Sequence, residues 1–362
     1  MTKKGLILLK VLSVIMNNAE LDAEKKIKIS VCVPTYNMGN FIGRTIESVL
    51  AQTFKEFEII ISDNNSYDDT EQIMKNYNDA RIRYFRNQAN VGFTKNLELC
   101  KQKSACDIIF LLPAKSLISK DALENTYEAF QLSTDIGAVT RPYYWFGDSI
   151  QTIVRKKEQY DNRNDAVISI NDGIEAIIAV FKTLDNPGGL AYRKSLIDIP
   201  FHDDPFVEAA YPFASIFKKH KIVYLKNYTM ACPAFLPSGS QNPLIYKKSP
   251  VQSWTNLFNS VFYEKEFKEI RNRGIKDFVA VNYIGLVQIR NYAKYGYLLR
   301  EIFLLIKYRW QNILNLKFWF FSIGTMIITK SILIRLVKIY KKRFNSKILE
   351  RKNKDYNICF NA

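Results

Sequence analysis

From Ile27 onward the chain alternates two hydrophobic patterns. Short runs rich in Val and Ile are apolar at nearly every position, and between them apolar residues recur every three or four positions. That alternation predicts βαβ units: an α/β fold with a mainly parallel central sheet and flanking helices. Strands are expected at Ile27–Pro34, Phe57–Asp63, Ile82–Phe85 and Asp107–Leu112. Helices are expected near Phe41–Ala51, Asp69–Tyr77, Lys95–Ser104 and Lys120–Leu132. A further strand at Ile136–Thr140, a helix near Gly173–Phe181, a turn at Pro187-Gly188-Gly189 and a closing strand at Ile222–Leu225 follow. The segment Phe146–Asp165 mixes charges without a period and reads as a long loop.

Beyond Ser249 the pattern becomes helical throughout, and Tyr297–Arg343 carries Leu, Ile, Phe and Trp with Lys or Arg spaced among them. Its longest uncharged run lies between Lys317 and Lys330, well short of the ~20 apolar residues that a spanning helix needs. Two readings fit. The segment is an amphipathic helix in the membrane interface, with Trp310 and Trp319 inserted and basic residues meeting anionic headgroups, or a helical bundle packed on the α/β domain. Charge sharpens the choice of partner. The formal net charge is +17, and Leu299–Ala362 holds fourteen Lys or Arg against three Asp or Glu. These charges accompany bulky aliphatic residues and do not form a polar basic stripe, so no nucleic-acid partner is expected.

A length of 362 residues fits one α/β domain of roughly 230 to 250 residues plus an appendage. The expected division is an N-terminal extension over 1–26, the α/β domain over 27–248 and a helical, basic, membrane-associated region over 249–362. Five scattered cysteines without C-x-x-C spacing argue against a zinc site or disulfide framework and favour a reducing cytosol. No G-x-S-x-G elbow, G-x-x-x-x-G-K phosphate loop or G-x-G-x-x-G fingerprint is present, and His202 and His220 are the only histidines. Hydrolase, kinase-type and dinucleotide-binding readings therefore lack their motifs.

Open α/β sheets bind ligands at the carboxyl ends of their strands. Here those ends read Val33-Pro34-Thr35-Tyr36-Asn37, then Ser62-Asp63-Asn64-Asn65-Ser66, then Asn87 to Asn90-Val91-Gly92. Asp63 can accept hydrogen bonds from a base or ribose, Thr35 and Asn37 supply short polar arms, Tyr36 offers a stacking surface and Gly92 permits close backbone approach. The same residues also admit a purely structural reading, with Asp63 capping a turn and Ser66 and Asp69 forming a capping box.

The three segments Val31–Asn37, Thr45–Thr53 and Phe57–Ser66, in this order and spacing and extended through Asn90-Val91-Gly92 to Asn96, resemble family 2 glycosyltransferases of the GT-A fold. Bacterial O-antigen and capsule enzymes such as abequosyltransferases are similar in the late helix opened by Tyr211-Pro212. The resemblance implies a nucleotide-sugar donor, with Pro34, Thr35, Tyr36, Asn37, Asp63, Asn65, Asn90, Gly92 and Asn96 around its nucleotide. A glycan or lipid-linked acceptor is expected with it, and the basic C-terminal tail motivates a peripheral place on the cytoplasmic face of the plasma membrane.

Members of that family usually follow the fourth strand with Asp-x-Asp, which holds Mg²⁺ or Mn²⁺ against the donor diphosphate. This chain has Leu112-Pro113-Ala114-Lys115 instead, without the oxygen ligands a hard cation requires, so no metal site is expected. Lys115 is a candidate diphosphate clamp or a plain solvated loop residue. An inverting transfer also needs a base, and the family's Glu-Asp pair falls on Glu208 and Ala209, leaving Glu208 and Asp204 as candidates. Two functional expectations stand: an inverting, metal-independent glycosyltransferase, or a relative that keeps the pocket as a nucleotide-sugar-binding or assembly subunit.

Overall fold

The computed structural model describes residues 27–234 and 242–340, so the expected N-terminal extension lies outside the described residues. The elements, in order, are β1 (Ile29–Thr35), α1 (Gly39–Leu50), β2 (Phe57–Asp63), α2 (Thr70–Lys75), β3 (Ile82–Arg86), α3 (Phe93–Lys103), β4 (Ile108–Leu111), β5 (Leu117–Ile118), α4 (Ala122–Gln131), β6 (Ile136–Thr140), β7 (Tyr144–Phe146), β8 (Ile153–Lys156) and β9 (Ala166–Ile168). Then come α5 (Ile174–Phe181), β10 (Ala191–Arg193), α6 (Ala210–Lys219), β11 (Lys221–Tyr224), β12 (Met230–Pro233), α7 (Pro250–Val261), α8 (Lys268–Arg273), α9 (Ile284–Tyr292), α10 (Tyr295–Tyr308), α11 (Leu316–Ile327) and α12 (Lys330–Tyr340).

Eight strands form the central sheet in the order β3-β2-β1-β4-β10-β6-β11-β9. The first four are mutually parallel, and β10 runs antiparallel between β4 and β6. Every residue of β1 and β2 is buried, as a parallel strand covered on both faces requires. The period of two then divides their side chains. Val31, Val33, Ile59 and Ile61 pack with Ile42, Ile46 and Val49 of α1, whereas Cys32 and Ile60 pack on the other face with Leu97 and Cys100 of α3. Each crossover helix thereby covers one face, and the ends of β3, β2, β1 and β4 stand side by side at one edge.

Two features differ from the sequence-based expectation. The Pro187–Gly189 turn leads into β10, and part of the expected loop Phe146–Asp165 forms β8, in a second sheet ordered β5-β12-β7-β8. These strands are two to four residues long, too short to establish a period, and pairing with distant partners defines them.

The C-terminal helices share the core of the α/β domain: Phe258 and Phe262 of the α7 segment pack with Phe181 of α5, the Phe181 and Phe258 ring centres lying 4.7 Å apart. Arg300 on α10 donates to the carbonyls of Tyr246, Lys247 and Lys248, bracing the connector to α7. This is the packed-bundle arrangement for the inner faces. No helix among the described residues is long and apolar enough to cross a membrane.

Candidate active site

The ends of β1, β2 and β3 are tied into one polar cluster. Thr35 stands opposite Asp63, and Asp63 opposite Arg86, in the parallel register. Asp63 is fully buried; Oδ1 accepts from Ser66 N (2.9 Å) and Ser66 Oγ (2.6 Å), and Oδ2 accepts from the Tyr84 hydroxyl (2.5 Å). Burial first, and then the bond to Asp63, hold the Tyr84 phenol far above its ordinary pKa, so it remains a donor. Ser66 Oγ in turn accepts from Asn37 N, and Asn37 Oδ1 accepts from Tyr67 N. The turn-capping role of Asp63 is thus realised, but a Ser66/Asp69 box is not formed, because α2 starts at Thr70 with Asp69 itself at the N-cap position.

Asn37 and Asn65 both adopt left-handed backbone, with φ of 52° and 65°. Asparagine tolerates that region better than most residues, and its cost of order 1 kcal/mol persists where the surroundings fix the turn. The guanidinium of Arg86 holds the second turn, donating to Asn65 Oδ1 and Ser66 O while pairing with Glu71. The aromatic rings of Tyr36 and Tyr67 meet edge to face at 6.1 Å, and both are exposed, Tyr67 by 84%. An exposed aromatic pair beside polar strand ends can receive a planar base. Thr35 Oγ1 is buried at the same strand end without a hydrogen-bond partner.

A second network lies on the β3 side. Asn64 Nδ2 donates to Asn90 Oδ1 (2.7 Å), and Asn64 Oδ1 accepts from Val91 N (2.8 Å) and Asn87 Nδ2 (3.2 Å). Asn96 is buried, accepting from Ser62 Oγ and Asn87 Nδ2 and donating to Ser62 O. It therefore ties α3 to the ends of β2 and β3. Gly92 precedes α3 at φ 85°, a conformation that favours glycine, with open space where a Cβ would stand.

The end of β4 borders this cluster, because Leu112 N donates to Cys32 O of β1. Leu112 is buried, and Pro113 and Ala114 carry no side-chain oxygen, so these residues do not fit the cation that the family's Asp-x-Asp holds. No group of three or more His, Cys, Asp or Glu among the described residues could hold a metal ion. Lys115 follows, partly buried. Burial holds its ammonium below the ordinary lysine range, and Cys232 opposes that shift. Cys232 itself is pushed up to about 11 by burial, with hydrogen bonds from Ser116 and Asn186 working the other way, so it stays a thiol near neutrality.

The two carboxylates before α6 are close enough to repel each other, yet their environments differ. Asp204 is 8% exposed, and its oxygens accept from Phe206 N and from Ser253 Oγ (2.7 Å) on α7. Glu208 is partly exposed, and burial, reinforced by the charge of Asp204, raises its carboxyl to about 7. Its loop is pinned to the α3 side of the pocket, since His202 O accepts from Thr94 Oγ1 (3.3 Å) and Phe201 N donates to Glu98 (2.8 Å). Ala209 is buried and accepts from the Tyr192 hydroxyl through its carbonyl. The structure thus gathers Thr35, Tyr36, Asn37, Asp63, Asn65, Asn90, Gly92 and Asn96 around three strand ends, with Pro34 completing β1. Lys115 belongs to the neighbouring strand end, and Glu208 to a loop docked on α3. Asn64, Asn87, Tyr67, Tyr84 and Arg86 were not singled out from sequence, although Asn64 and Asn87 lie within the strand-end segments that signalled the pocket.

Comparison with known proteins places this fold among glycosyltransferases. Residues 30–185 match the family described as "Glycosyl transferase family 2". That segment is similar to a family 2 glycosyltransferase domain, and the fold is that of its GT-A structural neighbours. Among relatives, it is 48% identical over 63 residues to GalNAc(5)-diNAcBac-PP-undecaprenol beta-1,3-glucosyltransferase of Campylobacter jejuni, covering 17% of this chain and 20% of that protein. It is 36% identical over 106 residues to the poly(ribitol-phosphate) beta-N-acetylglucosaminyltransferase TarP of Staphylococcus aureus, covering 28% and 32%. These matches span a third or less of either relative's length. The crystal structure of S. aureus TarS 1-349 in complex with UDP-GlcNAc superimposes with a TM-score of 0.58 at 18% identity, covering 86% of this chain and 91% of that one, and supports the shared fold.

Proposed function

We propose that this protein is an inverting glycosyltransferase that moves a sugar from a nucleoside-diphosphate donor to a hydroxyl of a lipid-linked or growing cell-surface glycan. The observation that carries the reading is the polar cluster closing the ends of β1 to β3, where two left-handed asparagines and an exposed tyrosine pair surround a buried Asp63. Glu208 is the base we assign. Its ionised carboxylate removes the acceptor proton as the acceptor oxygen attacks the anomeric carbon from the face opposite the leaving group. The anomeric carbon–oxygen bond to the diphosphate breaks, and the Lys115 ammonium receives the growing negative charge on the departing nucleoside diphosphate. The family's metal has no fitting ligands here, so no step is assigned to it. Asp204 is assigned a positioning role, since its carboxylate is held by Ser253 and Phe206 N.

The names of the relatives support a lipid-linked or polymeric acceptor, and the basic C-terminal region supports action at the cytoplasmic face of a membrane. The replacement of Asp-x-Asp by Leu112-Pro113-Ala114, together with Ala209, favours one competing reading, a nucleotide-sugar-binding subunit without turnover. A panel of UDP-, GDP- and dTDP-sugars offered to the purified full chain decides between them. The proposal expects one donor to bind and to release nucleoside diphosphate slowly even without acceptor. Binding without any turnover, with or without acceptor glycolipid, assigns the chain to the competing reading, and absence of binding removes both.

A further inference from the structure

Helix α11 is turned inside out for a water-soluble protein. Its outward stripe is Leu316, Phe320, Ile323 and Ile327, spaced at four, three and four residues, with Leu316 88%, Phe320 74% and Ile327 75% exposed. The buried side of the same helix holds Phe318 but also Ser322 and Thr325. Surface helices normally point the apolar stripe inward. The neighbouring segments repeat the anomaly: Trp310, Ile313 and Leu314 are exposed in the turn before α11, and Ile332, Leu336 and Ile339 are exposed on α12. Both helices pack against α9, so these stripes are the faces left over once the inner contacts are made.

Charge identifies what covers them. Between residues 302 and 340 there are six basic residues, Lys307, Arg309, Lys317, Lys330, Arg335 and Lys338, and no Asp or Glu. Among the described residues none of the six forms an ion pair. Over the described residues α11 and α12 run twelve and eleven residues, roughly 18 Å, too short to cross a hydrocarbon core of about 30 Å. A second copy of this surface would oppose positive charge with positive charge, whereas an anionic bilayer satisfies both the apolar stripe and the cations.

We infer that the outward stripes of α11 and α12, with the Trp310–Leu314 turn, form a face that seats on an anionic lipid surface. This deepens the proposed function by assigning the membrane contact to particular side chains. Seated there, the enzyme meets a lipid-linked acceptor by diffusion in two dimensions.

The test is flotation of the full chain with phosphatidylcholine vesicles, with and without phosphatidylglycerol. The wild type floats with the anionic vesicles and at least about ten-fold more weakly with neutral ones. Phe320→Asp with Ile327→Asp abolishes flotation, and Lys317→Glu with Lys330→Glu lowers affinity at least about ten-fold, at near five-fold for each cation lost from the surface. All four positions are exposed, so unchanged thermal midpoints and nucleoside-diphosphate affinity verify that the variants are folded. Failure of the wild type to float, or flotation of the Phe320→Asp/Ile327→Asp variant like wild type, overturns the inference. So does a vesicle-free dimer that the same substitutions dissociate, which assigns the face to a second copy. Flotation that persists while no donor binds leaves the lipid face standing and removes the transferase proposal; donor turnover without flotation does the reverse.

Discussion

Replacing Glu208 by Gln separates stability from catalysis. Burial and Asp204 raise the Glu208 carboxyl from its ordinary 4.5 to about 7. The unfolded chain releases the proton near 4.5, while the folded chain keeps it until about 7, so wild-type stability falls as pH rises between those values and the full penalty applies above them. Each tenfold difference in proton affinity is worth 1.36 kcal/mol, which makes the penalty about 3 kcal/mol as an upper bound. Gln has the shape of the protonated acid and carries no charge to desolvate. Glu208→Gln is therefore expected to unfold like the wild type at pH 4 and to gain up to about 3 kcal/mol at pH 8, a rise of roughly 5 °C in thermal midpoint for a chain of this size. Transfer at pH 8 should fall by about 10² to 10⁴, the range of general-base contributions. Differential scanning calorimetry across pH, with nucleoside-diphosphate release measured on the same preparations, reads both quantities. A variant no more stable than wild type at pH 8 refutes the desolvated, raised carboxyl, and a stabilised variant with undiminished transfer refutes its role as the base.

The transfer rate should rise with pH through about 7 as Glu208 ionises and fall again below the ordinary lysine range as Lys115 loses its proton, a bell read from kcat against pH. Asp204→Asn removes the like charge that helps raise Glu208, so its acid limb should move to lower pH while donor KM stays unchanged. Asp63→Ala leaves Tyr84 and Ser66 without their acceptor in a fully buried site; it should cost about 2 to 4 kcal/mol of stability and abolish nucleotide binding, measured by calorimetric titration on the folded fraction. Gly92→Ala meets no atom within 4 Å, so its expected loss of about 1 to 2 kcal/mol comes from the φ of 85° alone, and unchanged chemical-denaturation stability would contradict that assignment.

The parts of the fold visible in sequence are those that local physics dictates. β1, β2 and β4 are continuous apolar runs because helices cover both their faces, and the polar residues that stop them mark the binding edge. β10 and the second sheet carry no such mark, since strands of two to four residues are defined by what pairs with them. The pocket divides along the same line. Asn37 and Asp63 stand at strand ends and were legible there, whereas Asn64, Asn87, Tyr67 and Arg86 take their meaning from partners on other strands. Spacing also left Asp204 and Glu208 equivalent. They separate only once Ser253 of α7 is seen on Asp204, a contact across 49 residues that no local pattern encodes.

We propose that the strand-end cluster and Lys115 support sugar transfer without a divalent ion. It is tested most directly by release of nucleoside diphosphate from the bound donor, with anionic vesicles and acceptor glycolipid, in excess EDTA and in Mn²⁺. Turnover is expected to be equal in the two conditions, with at least a hundred-fold lower kcat for Lys115→Met in both. Turnover that appears only with Mn²⁺, or that Lys115→Met leaves intact, contradicts it.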